Sequence, residues 1–294
     1  MISIIIPLYN KEDYIRATLD SILSQTFQDF EVVVVNDGST DNSLSVVRAY
    51  SDSRLKVFDK ANGGVSRARN FGFQQSKGEW VMFLDADDTI MPNCLETLHQ
   101  LICDFPSVSL VSANYNTVYG ESKVAKGCSL KVRGILNEPF KNLWDMHWKL
   151  RLGAYAFKRD LFDKVGGFST QMKKGEDTFF NNSLIHLAKI AYSPQIIMSY
   201  NREGSFFSNI STPLSEIDIF YQNFDEGSNY ERLVKAEIVW KGICYRILHF
   251  NPAEILAMIK RYRGHHWLLV ESFVLRCCKM AFQRLTIDKI NIII

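Results

Sequence analysis

"FLDADD", residues 83–88, runs an apolar stretch directly into three acids, Asp85, Asp87 and Asp88. Carboxylates this close raise one another's cost of ionisation unless a positive charge lies among them. A hard divalent cation answers that need: Mg²⁺ takes one or two protein carboxylates and completes its shell with water and phosphate oxygens. On extended backbone Asp85 and Asp87 point to the same side, as a shared ion requires. The plainer alternatives are that these acids cap a helix starting near Pro92 or form a solvated turn.

Two further stretches carry similar chemistry. "ANGGVSRARN" (61–70) sets Gly63 and Gly64 before a helical run. The backbone N–H groups and the positive end of that helix can face a diphosphate, with Arg67 and Arg69 adding charge; a simple turn and a solvated face account for the same residues. "VVNDGST" (34–40) offers Asp37 as an acceptor for a nucleobase edge. It also reads as an Asp-Gly turn feeding the cap of the next helix through Ser39, Thr40 and Asp41.

The elements around these residues place them alike. "ISIII" (2–6), "FEVVVVN" (30–36), "LKVFD" (55–59) and "EWVMFLD" (79–85) read as strands, and 12–25, 41–50 and 64–76 carry helical spacing. Alternating strands and helices predict an α/β fold, a doubly wound, mostly parallel sheet flanked by helices. Ligands bind such sheets beyond the carboxyl ends of the strands, where "PLYN", "NDGSTD", "KANGG" and "DADD" all fall. Weaker patterns predict strands near 108–113 and 154–157, a helix within 139–150 and another from about Glu176 to Leu187. Trp144, His147, Trp148 and Tyr155 fit either an acceptor-facing wall or a packed core.

With 294 residues and 47% hydrophobic content the chain can bury a large core. Its six cysteines lack metal-binding or disulfide-framework spacing, so a reducing, cytoplasmic setting is expected. The start, "MISIIIPLYN", reads as a first strand and not a leader, and no apolar run is long enough to span a bilayer. Charge is uneven: residues 231–294 hold 11 Lys and Arg against 5 Asp and Glu. The domain expectation is therefore a ligand-binding and catalytic domain over 1–205, a linker over 201–213, and a helical, basic region over 214–294. Trp267, Val270, Val274, Cys278, Ala281 and Leu285 form one helical face. With Lys260, Arg261 and Arg263 this fits a helix on the anionic inner face of the plasma membrane, a helix packed on its own domain, or a dimer contact. His265–His266 is too isolated for a metal site, and "INIII" at the end fits a strand, a tail or a contact.

Taken together, "SIIIPLYN", "LDSILSQTFQDFEVVVVNDGSTDNS", "NGGVSRARN", "GEWVMFLDADD", "VGGF" (165–168) and "GED" (175–177) resemble family 2 of the inverting glycosyltransferases, with the GT-A fold. The resemblance covers residues 2–88 almost continuously and 165–180 more thinly. It implies a nucleotide-diphosphate sugar donor, UDP-linked, with a divalent cation (Mn²⁺ or Mg²⁺) as cofactor. The acceptor would be a glycan or lipid-linked glycan of a bacterial surface polysaccharide. Pro7 and Tyr9 would line the base pocket; Glu12 would hold the loop or nucleoside, or cap the next helix. Asp37 would bond the base, Gly64 and Arg69 would belong to the donor site, and Asp85 would lie near the ribose. Asp87 would ligate the metal with Asp88 in support. Asp177 would be the general base and Glu176 would orient sugar or acceptor, although acids in a first helical turn also complement the dipole. One departure is Asn36, where many relatives carry a second acid.

Rival functions remain at this level. Nucleotidyl transfer uses similar acids, and a non-catalytic nucleotide-sugar-binding protein keeps the same sheet. A dehydrogenase is disfavoured because no G-x-G-x-x-G follows the first strand, and no motif reads nucleic acid.

Overall fold

Valine, isoleucine and phenylalanine crowd the short runs that become strands, and each run ends at Gly, Asn or Asp, which releases the chain into a turn. The computed structural model describes residues 1–119, 123–172, 175–201 and 228–236. In chain order the elements are β1 (Ile2–Leu8), α1 (Ile15–Leu23), β2 (Phe30–Asp37), α2 (Ser43–Arg48), β3 (Leu55–Lys60), α3 (Val65–Gln75), β4 (Trp80–Phe83) and β5 (Thr89–Ile90). There follow α4 (Cys94–Asp104), β6 (Leu110–Tyr119), β7 (Lys123–Lys126), β8 (Gly134–Ile135), α5 (Pro139–Trp144), β9 (Tyr155–Lys158), α6 (Arg159–Val165), α7 (Glu176–Leu187) and β10 (Ile190–Asn201).

The strands form one sheet in the order β3-β2-β1-β4-β9-β6-β10-β5, with β7 on β6 and β8 on β10. The first four are parallel, as expected. The far half is mixed: β9 runs antiparallel between β4 and β6, while β10 returns parallel to β6. A chain that moves outward from β1 to β3 and then returns to β4 on the other side creates a switch point between β1 and β4. Their loops part there and leave a crevice. β1 and β2 are buried along their whole lengths, which explains the apolar runs Ile4–Ile6 and Val32–Val35.

Phenylalanines fix the layer behind the crevice. Phe83 of β4 meets Phe168 edge-on with centroids 4.9 Å apart, and Phe168 stacks on Phe180 of α7 at 4.1 Å. Phe157 and Phe162 complete the cluster. Aromatic pairs at these separations add to the burial of their area, and here they fix the start of α7 against the end of β4. Trp144, Trp148 and Tyr155 are buried, which corrects the acceptor-wall alternative for those three in favour of the core; His147 stays exposed.

Two local expectations change. The chain leaves strand geometry after Phe83 and folds "DADD" into a turn, the Asp88 N–H donating to the Asp85 carbonyl at 3.1 Å. The same-side argument from extended backbone therefore does not hold. The next helix starts at Cys94 and not at Pro92, so the three acids do not cap it. The chain divides into two units, Met1–Ser208 and Asn209–Ile294. In the second, residues 229–236 are helical and Leu233, Val234 and Ala236 are buried. The expected linker beyond residue 201, the amphipathic face of 264–285, His265–His266 and the terminal "INIII" lie outside the described residues. Among the described residues no helix is long and apolar enough to cross a membrane.

Candidate active site

The exits of β1 and β2 are stitched together by short polar side chains. Asn10 N–H donates to Ser39 Oγ at 3.1 Å and its Oδ1 accepts from Thr40 N–H at 2.8 Å. Lys11 N–H donates to Ser43 Oγ at 2.8 Å. Glu12 N–H donates to Asp41 Oδ2 at 3.1 Å, while Glu12 Oε2 accepts from Asn42 N–H at 2.8 Å. Glu12 thus holds the neighbouring loop and the start of α2. Gly38 makes the close approach of the next loop feasible: its φ is +72°, and a Cβ there would sit 2.8 Å from the Asn62 nitrogen. Pro7 is buried within β1 opposite Val35, and Tyr9 beyond it is 48% exposed, an open aromatic surface at the switch point.

Asp37 has partners other than a base edge. It is buried, accepts from Gly63 N–H at 2.9 Å and Gly64 N–H at 2.7 Å, and pairs with the Lys60 ammonium. The Gly63 and Gly64 N–H groups meet this carboxylate, and Asp37 caps the entrance to α3. The physical reason is proximity: β2 ends beside the turn that β3 feeds.

Arg69 faces the acids Asp85 and Glu176 from α3. It is 4% exposed, turned inward from α3 with its Cζ 4.9 Å from the Phe168 ring centroid. Its Nη2 donates to Asp85 Oδ1 at 2.8 Å and its Nη1 to Glu176 Oε1 at 2.9 Å. A planar guanidinium can serve two carboxylates at once, which an ammonium cannot do with fixed geometry. Arg69 thereby joins the end of β4 to the first turn of α7. Burial raises the Glu176 carboxyl above its ordinary range, against the pull of Arg69 and with the charge of Asp177 adding to it.

The three acids of the turn take separate partners. Asp87 Oδ2 lies 2.7 Å from Lys11 Nζ. Burial, aided by Asp85, raises its carboxyl despite that ammonium. Asp88 faces inward, 1% exposed, its Oδ1 accepting from Asn201 N–H at 2.8 Å and its Oδ2 without a hydrogen-bond partner among the described residues. Burial, then the charges of Asp85 and Asp87, drive the Asp88 carboxyl well above its ordinary range. Among the described residues no group of three or more His, Cys, Asp or Glu converges on one metal position. Asp87 can offer an oxygen to a cation, with Asp85 and Asp88 in the same turn.

The base candidate stands at the start of α7. Asp177 Oδ1 accepts from its own neighbour's Thr178 N–H at 2.7 Å and from Thr178 Oγ1 at 3.3 Å. One oxygen thus serves the helix end. Tyr155 Oη donates to Asn181 Oδ1 at 2.7 Å and anchors the same helix to β9.

Sequence reasoning missed Lys11, Arg151 and the polar stripe of α1. Thr18 Oγ1 donates to the Ala86 carbonyl at 3.0 Å, Ser21 Oγ accepts from Ile90 N–H at 3.2 Å, and Gln25 Nε2 donates to the Met91 carbonyl at 2.7 Å. Thr18 and Ser21, three apart, share a face of α1, and Gln25 continues the polar contact just past its end; that spacing is the signal that this side meets polar backbone. Arg151 stacks 4.1 Å over the Tyr200 ring; burial opposes its charge, but Tyr115, Tyr200 and Asp177 outweigh that and raise its pKa. Nothing in its local sequence distinguishes it.

Comparison with known proteins agrees with this architecture. The chain is similar to glycosyltransferase GlyG of Streptococcus pneumoniae serotype 4, 28% identical over 296 residues, covering 86% of this chain and 97% of that one. It is 33% identical over 226 residues to glycosyltransferase GlyA of the same organism, covering 69% of this chain but only 31% of GlyA. Among solved structures, S. aureus TarS 1–349 in complex with UDP-GlcNAc matches with a TM-score of 0.70 at 24% identity, over 92% of this chain and 79% of that one. The mannosyltransferase PcManGT from Pyrobaculum calidifontis, in complex with GDP-Man and Mn²⁺, matches with a TM-score of 0.53 at 19% identity, over 95% and 86% of the two chains. At these identities the two structures show the fold alone. The model of glycosyl transferase family 2 matches residues 3–173, from the first strand of the crevice to the approach to α7, and the chain belongs to that family of glycosyltransferases.

Proposed function

We propose that this glycosyltransferase moves a sugar from a UDP-linked donor to a hydroxyl of a glycan or lipid-linked glycan, with inversion and with Mn²⁺ or Mg²⁺, in building a bacterial surface polysaccharide. The carrying observation is the Asp85–Asp88 turn at the β1/β4 crevice. Burial and the charge of Asp85 push the Asp87 and Asp88 carboxyls upward there, and Asp88 Oδ2 is buried without a hydrogen-bond partner among the described residues. A hard cation fits the oxygen donors of such a turn. The relatives support the donor class: TarS carries UDP-GlcNAc, and PcManGT carries GDP-Man with Mn²⁺.

In this reading Asp87 holds the cation, Asp85 stands beside it and Asp88 supports the turn from behind. The bound ion supplies charge neutralisation for the departing diphosphate. Tyr9 offers its exposed ring to the base at the β1 exit. Asp37 acts from beneath by holding the Gly63–Gly64 turn. Asp177 takes the acceptor proton as the oxygen–C1 bond forms and the C1–phosphate oxygen bond breaks, so the configuration at C1 inverts. Arg69 sets the distance between the donor acids and this base through its two ion pairs.

The test is a purified-protein assay with a panel of nucleotide sugars and Mn²⁺, scored for nucleoside diphosphate release and for the product's anomeric configuration. Release of UDP with an inverted linkage is expected. Pyrophosphate release would move the protein to nucleotidyl transfer, and binding without any turnover would reduce it to a nucleotide-sugar-binding protein.

A further inference from the structure

Among the described residues the crevice holds more acid than base. Asp85, Asp87, Asp88, Glu176 and Asp177 interact there with three cationic side chains, Lys11, Arg69 and Arg151. Arg69 is committed to two carboxylates and buried in the aromatic layer, so it cannot move without breaking both pairs. Lys11 differs. Its backbone is pinned by Ser43, but its ammonium reaches Asp87 on a flexible four-carbon stem. The Tyr14 ring, 5.6 Å from Nζ, offers a face along which the stem can pivot.

We propose that Lys11 is a mobile donor-site residue, which competes with the divalent cation for Asp87 Oδ2 and transfers its ammonium to the donor diphosphate when the ion takes that oxygen. The contact is 2.7 Å, with Lys11 and Asp87 only 16% and 12% exposed. A divalent ion on the same oxygen would stand within a few ångströms of the ammonium, and like charges at that range repel strongly in a partly desolvated cleft. The ammonium must leave, and a diphosphate bound to the ion is the nearest new source of negative charge. Ion alone therefore binds at a penalty, which the nucleotide relieves by receiving Lys11. Lys11 in this way couples the two ligands, and the coupling is reciprocal by linkage.

This inference rests on the donor-site reading above, and one experiment separates the two. Mn²⁺ is titrated into the full chain with and without UDP, free Mn²⁺ being read by electron paramagnetic resonance, for wild type, Lys11→Met and Lys11→Arg. In the wild type UDP should tighten Mn²⁺ binding. Lys11→Met should bind Mn²⁺ alone about tenfold more tightly, bind UDP more weakly at saturating Mn²⁺, and lose most of the UDP enhancement; Lys11→Arg should retain it. Unchanged or weaker Mn²⁺ affinity in Lys11→Met without UDP, in protein that melts cooperatively, overturns the competition and leaves the donor site standing. A wild type that binds neither Mn²⁺ nor UDP overturns both. If Lys11→Met does not fold, Lys11→Gln gives the same comparison.

Discussion

Glu176 Oε1 lies 2.9 Å from Nη1 of Arg69, a residue 107 positions earlier, and the other arm of the same guanidinium holds Asp85 at 2.8 Å. One buried side chain thus fixes the spacing between the donor end of the crevice and the helix that carries the base candidate. Removing one partner of a buried charge network leaves the others uncompensated. Arg69→Met should therefore lower unfolding free energy by about 3–5 kcal/mol in urea titrations. Arg69→Lys can serve one carboxylate but not both in the same geometry, so it should fold and lose transfer rate more than UDP affinity. Equal losses in the two parameters would argue that Arg69 merely stabilises the fold.

Asp177 and Glu176 are neighbours with different surroundings, which makes their variants separable. Asp177→Asn keeps an oxygen for the Thr178 N–H but cannot accept a proton, so kcat should fall by about 10²–10⁴ while UDP binding is unchanged. Glu176→Gln keeps a weaker bond to Arg69 and should cost less. Measured side by side, full activity in Asp177→Asn would remove the base assignment.

Much of this was legible in the chain, and the limits are physical. The strands β1, β2 and β4 and their polar exits announce themselves because burial on both faces favours apolar runs, and chain reversal favours Gly, Asn and Asp. The acids were found by the same route. Their partners were not: Lys11 with Asp87 and Arg69 with Glu176 join residues 76 and 107 positions apart, and no local pattern encodes a contact that only the β1/β4 switch creates. Nor does any local pattern encode that Asp37 accepts from Gly64, 27 positions away. The turn at Asp85–Asp88 was misjudged as extended because strand propensity continues through Leu84, whereas Thr18 of α1 captures the Ala86 carbonyl and helps hold the bend.

Asp88 predicts a trade between stability and function. Its carboxyl is buried beside two others and has an oxygen without a hydrogen-bond partner among the described residues, so ionisation costs the fold something that a neutral amide avoids. A folded-state pKa raised above the unfolded value means stability falls as pH climbs through that range. Asp88→Asn keeps an acceptor for Asn201 N–H, so without added metal it should melt higher than wild type at pH 7 to 8. Its gain from Mn²⁺ plus UDP should be smaller than wild type's. A lower melting temperature without metal would mean that the carboxylate is already compensated.

Glu31 gives a prediction of opposite sign, at the amino end of the sheet and away from the crevice. It accepts from Ser3 Oγ at 2.7 Å and from Lys77 N–H, and pairs with Lys56 at 2.7 Å. Burial works against its charge, but Lys56, Ser3 and the Lys77 N–H outweigh it and hold the carboxyl below its ordinary value of 4.5. A lowered folded-state pKa contributes stability that is complete above the unfolded value and lost as pH falls through the folded one. Glu31→Gln should accordingly destabilise by about 1–3 kcal/mol at neutral pH, since the lysine loses a charged partner. Urea unfolding at a series of pH values should show the two proteins converging as pH drops from about 5 to about 3. The kcat of folded protein should be the same in both, because none of Glu31's partners lies at the exit of β1 or β4. A difference that persists undiminished at the acid end would show that packing lost at the site, and not the charge, sets the cost.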